Sequence, residues 1–305
     1  MNLLKNEKFI KVAKLLLLAV VLFFVVKNIV DNFSNIKDID LSNLNYGYVL
    51  PALLVTIISL FIPVFAWKYL LGTLGGKLKI FKAMRIWFIS NLGRYIPGKV
   101  WQISGLIVLS NKEGVSKKVS SVSVLYSQIV ANLIGLSLGI FLFVKDEEKT
   151  THMLMFAGVL IALAILPFVI NKLAILALSI LKKPKETFEV SYGKFIIYVF
   201  LQLVNWVIMG IAFVLFINIF TELSLCQHPI ALFILPISWT LGLLAVFAPG
   251  GIGVREGIMT VYLSMFISPG LAAVIPWIYR IWLTLFELLL AGIFYFMKGN
   301  TENQQ

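Results

Sequence analysis

Six apolar segments, each long enough to cross a bilayer, constrain this chain more than any other feature of its sequence. They cover residues 12–30, 47–71, 119–144, 152–170, 192–220 and 271–297. A membrane-spanning helix needs about 20 predominantly apolar residues. Because lipid offers the backbone no hydrogen-bond partners, only helices and closed barrels span it. The segments predict an all-α polytopic membrane protein with about six spanning helices.

The composition excludes an ordinary soluble domain. Of the 305 residues, 60% are hydrophobic and 13% are charged, whereas soluble proteins carry about 25% charged residues. The net charge of +12 follows the positive-inside rule and does not indicate a nucleic-acid partner. The single cysteine, Cys226, excludes an internal disulfide, and with His228 it is too small a set for a metal site. No cofactor is expected.

A seventh apolar stretch, residues 80–109, is interrupted by charged and helix-breaking residues. Pro97 has no amide proton and disfavours a helical residue before it. Together with Gly93 and Gly98 it predicts a break beside Arg94 and Lys99. Broken backbone at membrane depth is tolerated only where it packs in protein or lines a wet cavity.

An eighth stretch, residues 229–268, has the same character in the other half of the chain. Its break is predicted at Pro249, Gly250, Gly251 and Gly253, just before the adjacent Arg255 and Glu256. We expect the two breaks to face one ligand site.

The placement of lysines predicts that both broken stretches are re-entrant. With a cytoplasmic N-terminus and two re-entrant stretches, the outside keeps only four lysines, which are Lys27, Lys37, Lys145 and Lys149. If the first stretch spanned instead, residues 112–118 and their three lysines would move outside. The charge asymmetry therefore favours re-entry and places both termini in the cytoplasm.

On this topology the first element dips from the cytoplasm and the second from outside. Opposed, interrupted segments in two halves are typical of an inverted-repeat transporter with a site at the midplane. We expect one transmembrane domain over residues 1–298, with halves of about 1–181 and 192–298, and a polar tail over 299–305. The repeat is inferred from topology, because the halves share no clear residue identity.

Arg94 and Lys99 are the first candidate binding residues. A cation at membrane depth is a functional-site hypothesis, and nearby helix termini also favour anions, so the pair is expected to hold a lipid phosphate. Alternatively, both side chains snorkel to the interface and only anchor helix ends. Tyr95, Trp101 and Gln102 are expected to line the same cavity, with an interfacial aromatic belt as the alternative for Trp101.

Four charged residues form the second candidate set, which comprises Arg255, Glu256, Arg280 and Glu287. Arg280 and Glu287 share one helix face but lie about 10 Å apart, so each needs a partner elsewhere. Because a buried charge costs about 2.5–3.5 kcal/mol, we expect one of the arginines Arg255 and Arg280 to pair with Glu287 or Glu256. The set either binds substrate or only holds the second broken element in place.

Four amides lie inside predicted spans in two pairs, Gln128 with Asn132 and Gln202 with Asn205. Each pair shares one helix face. Hydrogen bonding between helices is the preferred interpretation, and a polar path for a headgroup is the alternative.

The two breaks read Gly-Arg-Tyr-Ile-Pro-Gly-Lys-Val-Trp at 93–101 and Pro-Gly-Gly-Ile-Gly-Val-Arg-Glu-Gly at 249–257. This pair of motifs resembles the lysylphosphatidylglycerol synthase transmembrane-region family over nearly the whole chain. The resemblance implies a flippase-like helical fold in a bacterial-type cytoplasmic membrane. It also implies handling of aminoacylated phospholipids or polyprenyl-linked glycolipids. Two-domain members add a soluble aminoacyl transferase domain, for which this sequence leaves no room, so synthase activity is not expected.

The sequence therefore predicts a lipid translocase without its own energy source. Phosphate would meet Arg94, Lys99 and Arg255, while Glu256 and Glu287 would balance these cations or meet an aminoacyl ammonium. One alternative is a membrane transferase with Glu256 or Glu287 as base, although the sequence lacks zinc-protease, nucleophile-elbow and phosphate-loop motifs. The other is a non-transporting partner of a lipid synthase or glycosyltransferase.

Overall fold

The computed structural model describes residues 44–95, 100–140, 191–245 and 251–297, and the single positions 142, 158, 165 and 172. Within these residues the chain forms helices and turns, and no strand. Several predicted features lie outside the described residues: the span at 12–30, nearly all of that at 152–170, the tail, and the break residues Pro97, Gly98, Lys99, Pro249 and Gly250.

The longer described α-helices number eight. They are α1 (Val49–Thr73), α2 (Ile80–Asn91), α3 (Val100–Lys112), α4 (Lys117–Ile140), α5 (Tyr192–Ile217), α6 (Gln227–Leu244), α7 (Val254–Leu263) and α8 (Pro269–Phe296). Five of them, α1, α4, α5, α6 and α8, are long and apolar enough to cross a membrane. The all-α polytopic class is confirmed. Four of these helices match predicted spans, whereas α6 was expected only as part of a broken stretch.

The described parts of the first broken stretch form a helical hairpin, which we call the first hairpin (residues 80–95 and 100–112). At its open end Lys82 of α2 forms an ion pair with Glu113, which follows α3. At its tip the side-chain amides of Asn91 and Gln102 lie 2.7 Å apart. Residues early in α2 thus pair with residues late in α3, so the two helices are antiparallel. With 12 and 13 residues, each is about 20 Å long, too short to cross a bilayer alone.

The described parts of the second broken stretch also form a hairpin, which we call the second hairpin (residues 227–245 and 251–263). At its open end Gln227 Nε2 donates to the Phe266 carbonyl at 3.4 Å. At its tip the Arg255 side chain lies so close to Gly242 that a Cβ there would overlap it. The start of α6 thus lies near the end of α7, and the end of α6 lies near the start of α7. The two helices therefore run antiparallel.

The two hairpins open toward opposite ends of the helix bundle. Asn45 N donates to the Ile219 carbonyl at 2.8 Å, so α1 begins at the end of the bundle where α5 stops and the second hairpin opens. The chain leaves α1 at the other end, where the first hairpin opens. We call this second end the basic end, since residues 74–79 and 112–118, which comprise its turns and the adjoining helix ends, contain five lysines. The turns 218–226 and 264–268 of the opposite end contain no lysine or arginine.

Helix α8 packs against the first hairpin on one side and against α5 on the other. Phe294 stacks on Phe88 of the first hairpin with ring centroids 5.4 Å apart. On the other side Tyr279 packs on Phe213 and Phe216 of α5, at 4.7 and 5.1 Å. Such aromatic contacts fix the position of α8 along most of its length.

Candidate functional site

The tip of the first hairpin is bonded to the middle of α8. A 3-10 turn, Leu92–Tyr95, continues α2 and contains the two bonding residues, Arg94 and Tyr95. Arg94 Nη1 donates to Glu287 Oε1 at 2.9 Å, and Tyr95 OH donates to Glu287 Oε2 at 2.9 Å. The Tyr95 hydroxyl also lies 2.9 Å from Thr284 Oγ1. Both carboxylate oxygens of Glu287 are therefore used by this one turn.

The tip of the second hairpin is bonded to the same face of α8. Arg280 Nη1 donates to Glu256 Oε1 in a close ion pair. The other carboxylate oxygen, Oε2, accepts from the amide of Gly253 at 2.7 Å, as in the acidic half of a capping box. Gly253 has φ +83°, which favours glycine because a Cβ is strained there. Glu256 thus starts α7 and ties it to α8.

These contacts decide most of the predicted pairings. Arg280 bonds to Glu256, which is one of the expected pairs, and Glu287 bonds to Arg94 and Tyr95. The cation of Glu287 is Arg94, from the first hairpin. The prediction did not consider this pair, because it sought partners only within the second candidate set.

Arg255 differs from the other two arginines, because no described carboxylate pairs with it. Its guanidinium lies 3.7 Å from the ring centroid of Trp239, and that of Arg94 lies 5.2 Å from the same ring. Arg255 Nε is buried without a hydrogen-bond partner among the described residues. A desolvated cation–π contact contributes about 2 kcal/mol. The described site therefore holds more positive than negative charge.

A cavity of about 100 Å³ opens between the first hairpin's tip and the middles of α1, α4 and α5. Its wall is polar over much of its area: Ser59, Asn91, Arg94, Gln102, Ser127, Gln128, Asn132, Gln202, Asn205 and Glu287. A smaller pocket of about 30 Å³ lies beside Arg255, Glu256 and Arg280. Trp239 lines both spaces, so its indole separates them.

Asn91 joins the cavity wall to the Arg94 ion pair. In the amide orientation that satisfies its neighbours, its oxygen accepts from Trp87 Nε1 and Arg94 Nη2, both at 3.0 Å. Its nitrogen then faces the Gln102 amide at 2.7 Å. Arg94 is consequently held from two sides, by a carboxylate and by an amide.

The four amides predicted inside spans all line this cavity. Asn132 Nδ2 donates to the Gln128 carbonyl at 2.7 Å, and Gln202 Nε2 donates to Tyr198 OH at 2.6 Å. Both bonds stay within one helix. The preferred interpretation, bonding between helices, was wrong for the contacts that the described residues make.

The remaining predicted site residues separate into three groups. Gln102 lies in the cavity wall. Tyr95 is buried behind Glu287, and Trp101 is 53% exposed on the outer surface, which agrees with the aromatic-belt alternative. Lys99 lies outside the described residues, and its phosphate-binding role stays a prediction.

Two of the predicted break glycines lie where backbones approach closely. A Cβ at Gly93 would be 2.7 Å from the Gln102 amide nitrogen, and one at Gly251 would be 2.9 Å from the Gly242 carbonyl oxygen. Both hairpin tips therefore need glycine for their tight packing.

Sequence reasoning missed Trp239 and Asn91. Trp239 lies in an apolar helix, where a tryptophan has no distinctive local signal except its polar neighbours Ser238 and Thr240. Asn91 directly precedes the first motif, and a buried amide next to a cation was the available signal. Among the described residues no cluster of histidine, cysteine or carboxylate side chains could hold a metal.

A scan of protein families matches residues 11–291 to the lysylphosphatidylglycerol synthase TM region. The match confirms the resemblance drawn from the two motifs. A search of curated proteins found no significant match.

Proposed function

The chain belongs to the family of the lysylphosphatidylglycerol synthase TM region, and on that premise we propose that it translocates lipid headgroups across the cytoplasmic membrane. The observation that carries the proposal is the meeting of two oppositely opened hairpins at a polar, cationic region, where Trp239 lies between the larger cavity and the pocket beside Arg255. Opposed broken helices around a midplane site are the usual architecture of carriers with alternating access.

The positions of the tips along α8 support a site near the middle of the bilayer. Glu256 bonds to Arg280 and Arg94 bonds to Glu287, and both partners lie near the centre of α8 (Pro269–Phe296). Neither hairpin therefore reaches the far end of the bundle. In our proposal both are re-entrant, and each closes the cavity from its own side.

The charge distribution supports an orientation. The positive-inside rule assigns the basic end to the cytoplasm. The first hairpin then enters from the cytoplasm and the second from outside, and the C-terminal end of α8 faces the cytoplasm. The N-terminus is proposed to lie on the same side.

The headgroup phosphate is proposed to enter beside Arg94 and Arg255. Arg255 has no carboxylate among the described residues, so it gains most from an anion. A phosphate would share the Arg94 guanidinium with Glu287, because Arg94 Nε has no hydrogen-bond partner among the described residues. The acyl chains stay in lipid during the step. Lys99 remains a candidate second contact at the same tip.

No covalent chemistry is assigned to the protein in this proposal. Both oxygens of Glu256 and both oxygens of Glu287 are already bonded to protein donors, which disfavours either as a general base. The lipid would be supplied by a lipid synthase or glycosyltransferase, with which the protein would act in sequence.

The test is movement of acyl-labelled phosphatidylglycerol in proteoliposomes. Wild-type protein is expected to move the lipid between leaflets, and Arg94→Gln and Arg255→Gln are expected to lower the rate to that of empty vesicles. Lys194→Gln is the matched control, because it removes one charge from an exposed position at the basic end. Wild-type rates in folded Arg94→Gln and Arg255→Gln proteins would overturn the proposal. So would absence of movement for plain, aminoacylated and polyprenyl lipids alike, which would instead favour an accessory role.

A further inference from the structure

The cavity wall contains buried amide oxygens that accept no hydrogen bond from any described residue. Asn205 is 6% exposed, and its Oδ1 has no hydrogen-bond partner among the described residues. Asn132 Oδ1, on the facing helix α4, also has no hydrogen-bond partner among the described residues. Both residues line the cavity. Buried polar atoms without partners are rare, because desolvation is unfavourable unless a ligand or water completes them.

The rest of the wall suits a neutral ligand rich in hydroxyl groups. A carboxamide both donates and accepts hydrogen bonds, as a hydroxyl group does. Trp206 Nε1 donates to the Ala131 carbonyl at 2.9 Å, and Trp87 Nε1 is bonded to Asn91. Since the polar edges of these indoles are occupied by protein, they present carbon surface to the cavity. Aromatic carbon beside amides complements the C–H and O–H groups of a polyol.

The same wall is unsuited to a cationic headgroup. Glu287 is its only carboxylate among the described lining residues, and both of its oxygens are bonded to Arg94 and Tyr95. An aminoacyl ammonium would therefore meet the Arg94 guanidinium without a carboxylate to balance it. Like charges at short distance in a poorly solvated site repel strongly.

We propose that the cavity selects lipids whose headgroup, beyond the phosphate, is an uncharged polyol, either glycerol or a sugar-like ring. Asn132 and Asn205 are the residues that determine this specificity. The inference rests on the proposed function for its biological setting, but it concerns recognition, which is measurable without transport.

The experiment is a titration of the detergent-solubilised full chain with short-chain lipids, followed by tryptophan fluorescence. The probes are phosphatidylglycerol, phosphatidylinositol, phosphatidic acid and lysylphosphatidylglycerol. Phosphatidylglycerol or phosphatidylinositol is expected to bind at least about tenfold more tightly than phosphatidic acid, which lacks the polyol. Tighter binding of phosphatidylglycerol than of phosphatidylinositol would identify glycerol as the source of the hydroxyl groups, and the reverse order would identify the ring. Lysylphosphatidylglycerol is expected to bind more weakly than phosphatidylglycerol.

Two substitutions at one position test the assignment. Asn205→Leu is expected to reduce polyol-lipid binding to the phosphatidic acid level, leave phosphatidic acid unchanged, and preserve folding, since it removes an unsatisfied polar group. Asn205→Asp adds a carboxylate to the wall and is expected to raise the affinity for lysylphosphatidylglycerol. Equal binding of phosphatidic acid and the polyol lipids, or tightest binding of the lysylated lipid by wild type, would overturn the inference. Selective binding without transport would contradict the translocase proposal alone.

Discussion

Arg94 and Glu287 form an ion pair of 2.9 Å although 193 positions separate them in the sequence. Their side chains are 15% and 4% exposed, so water screens the pair little. It joins the tip of one hairpin to the helix that also holds the tip of the other.

Glu287→Gln is expected to destabilise the protein by about 3–5 kcal/mol, because it leaves Arg94 buried without a counter-charge. Thermal unfolding in detergent measures the loss. Glu113→Gln is the control, since its pair with Lys82 is more exposed and such pairs contribute at most about 1 kcal/mol. The double variant Arg94→Gln with Glu287→Gln should be more stable than Glu287→Gln alone. An equal loss of stability in Glu113→Gln would contradict the expectation that the buried ion pair contributes more than the exposed one.

Gly253→Ala is expected to destabilise by about 1–2 kcal/mol through backbone strain alone. The residue has φ +83°, and a Cβ there would meet no atom within 4 Å. Gly257→Ala is the matched control, because its Cβ would also meet nothing within 4 Å and it lies inside α7 at ordinary helical φ. It should stabilise by up to about 1 kcal/mol. Chemical denaturation of the two variants, compared with wild type, should give opposite signs.

Cys226 should react with a membrane-impermeant maleimide added to intact cells. It is the single cysteine of the chain, it is exposed, and it lies at the bundle end opposite to the basic one. In the background Cys226→Ser, a cysteine introduced by Ser116→Cys at the basic end should react only after permeabilisation. Labelling of the Ser116→Cys protein in intact cells, with no labelling of Cys226 in the wild-type protein, would reverse the proposed orientation.

Trp239→Leu is expected to slow lipid movement more than Trp239→Phe does. Both remove the indole, but phenylalanine keeps an aromatic face for the Arg255 guanidinium, whereas leucine removes the cation–π contact of about 2 kcal/mol. Initial rates in proteoliposomes compare the two variants, and Trp101→Leu on the outer surface is the control. Equal rates for the two Trp239 variants would show that the ring face contributes nothing to the step.

The sequence predicted those parts of the fold that depend on local chemistry. Helix breaks beside Arg94 and Arg255 followed from glycine and proline, whose backbone effects need no distant partner. The partner of Glu287 could not be predicted, because the hairpin tip that supplies it is placed by tertiary packing. Trp239 was missed for a related reason: a tryptophan in an apolar helix is ordinary until two guanidinium groups lie over its ring.

The two amide pairs, Gln128 with Asn132 and Gln202 with Asn205, show the same limit of prediction from sequence. Their spacing correctly placed each pair on one helix face, but whether that face meets a helix or a cavity depends on how the first hairpin packs. Only the three-dimensional arrangement shows that Asn132 and Asn205 line one space.

Arg280, Thr284 and Glu287 follow one another at intervals of four and three residues on α8, and together they contact both hairpin tips. A rotation of α8 by one residue step, about 100°, would carry all three side chains away from their partners at once. If α8 turns in this way, both tips are released together, and their release would then be coupled thermodynamically. A single helix therefore holds both tips, and the Trp239 ring beside Arg94 and Arg255 adds a contact between the two hairpins.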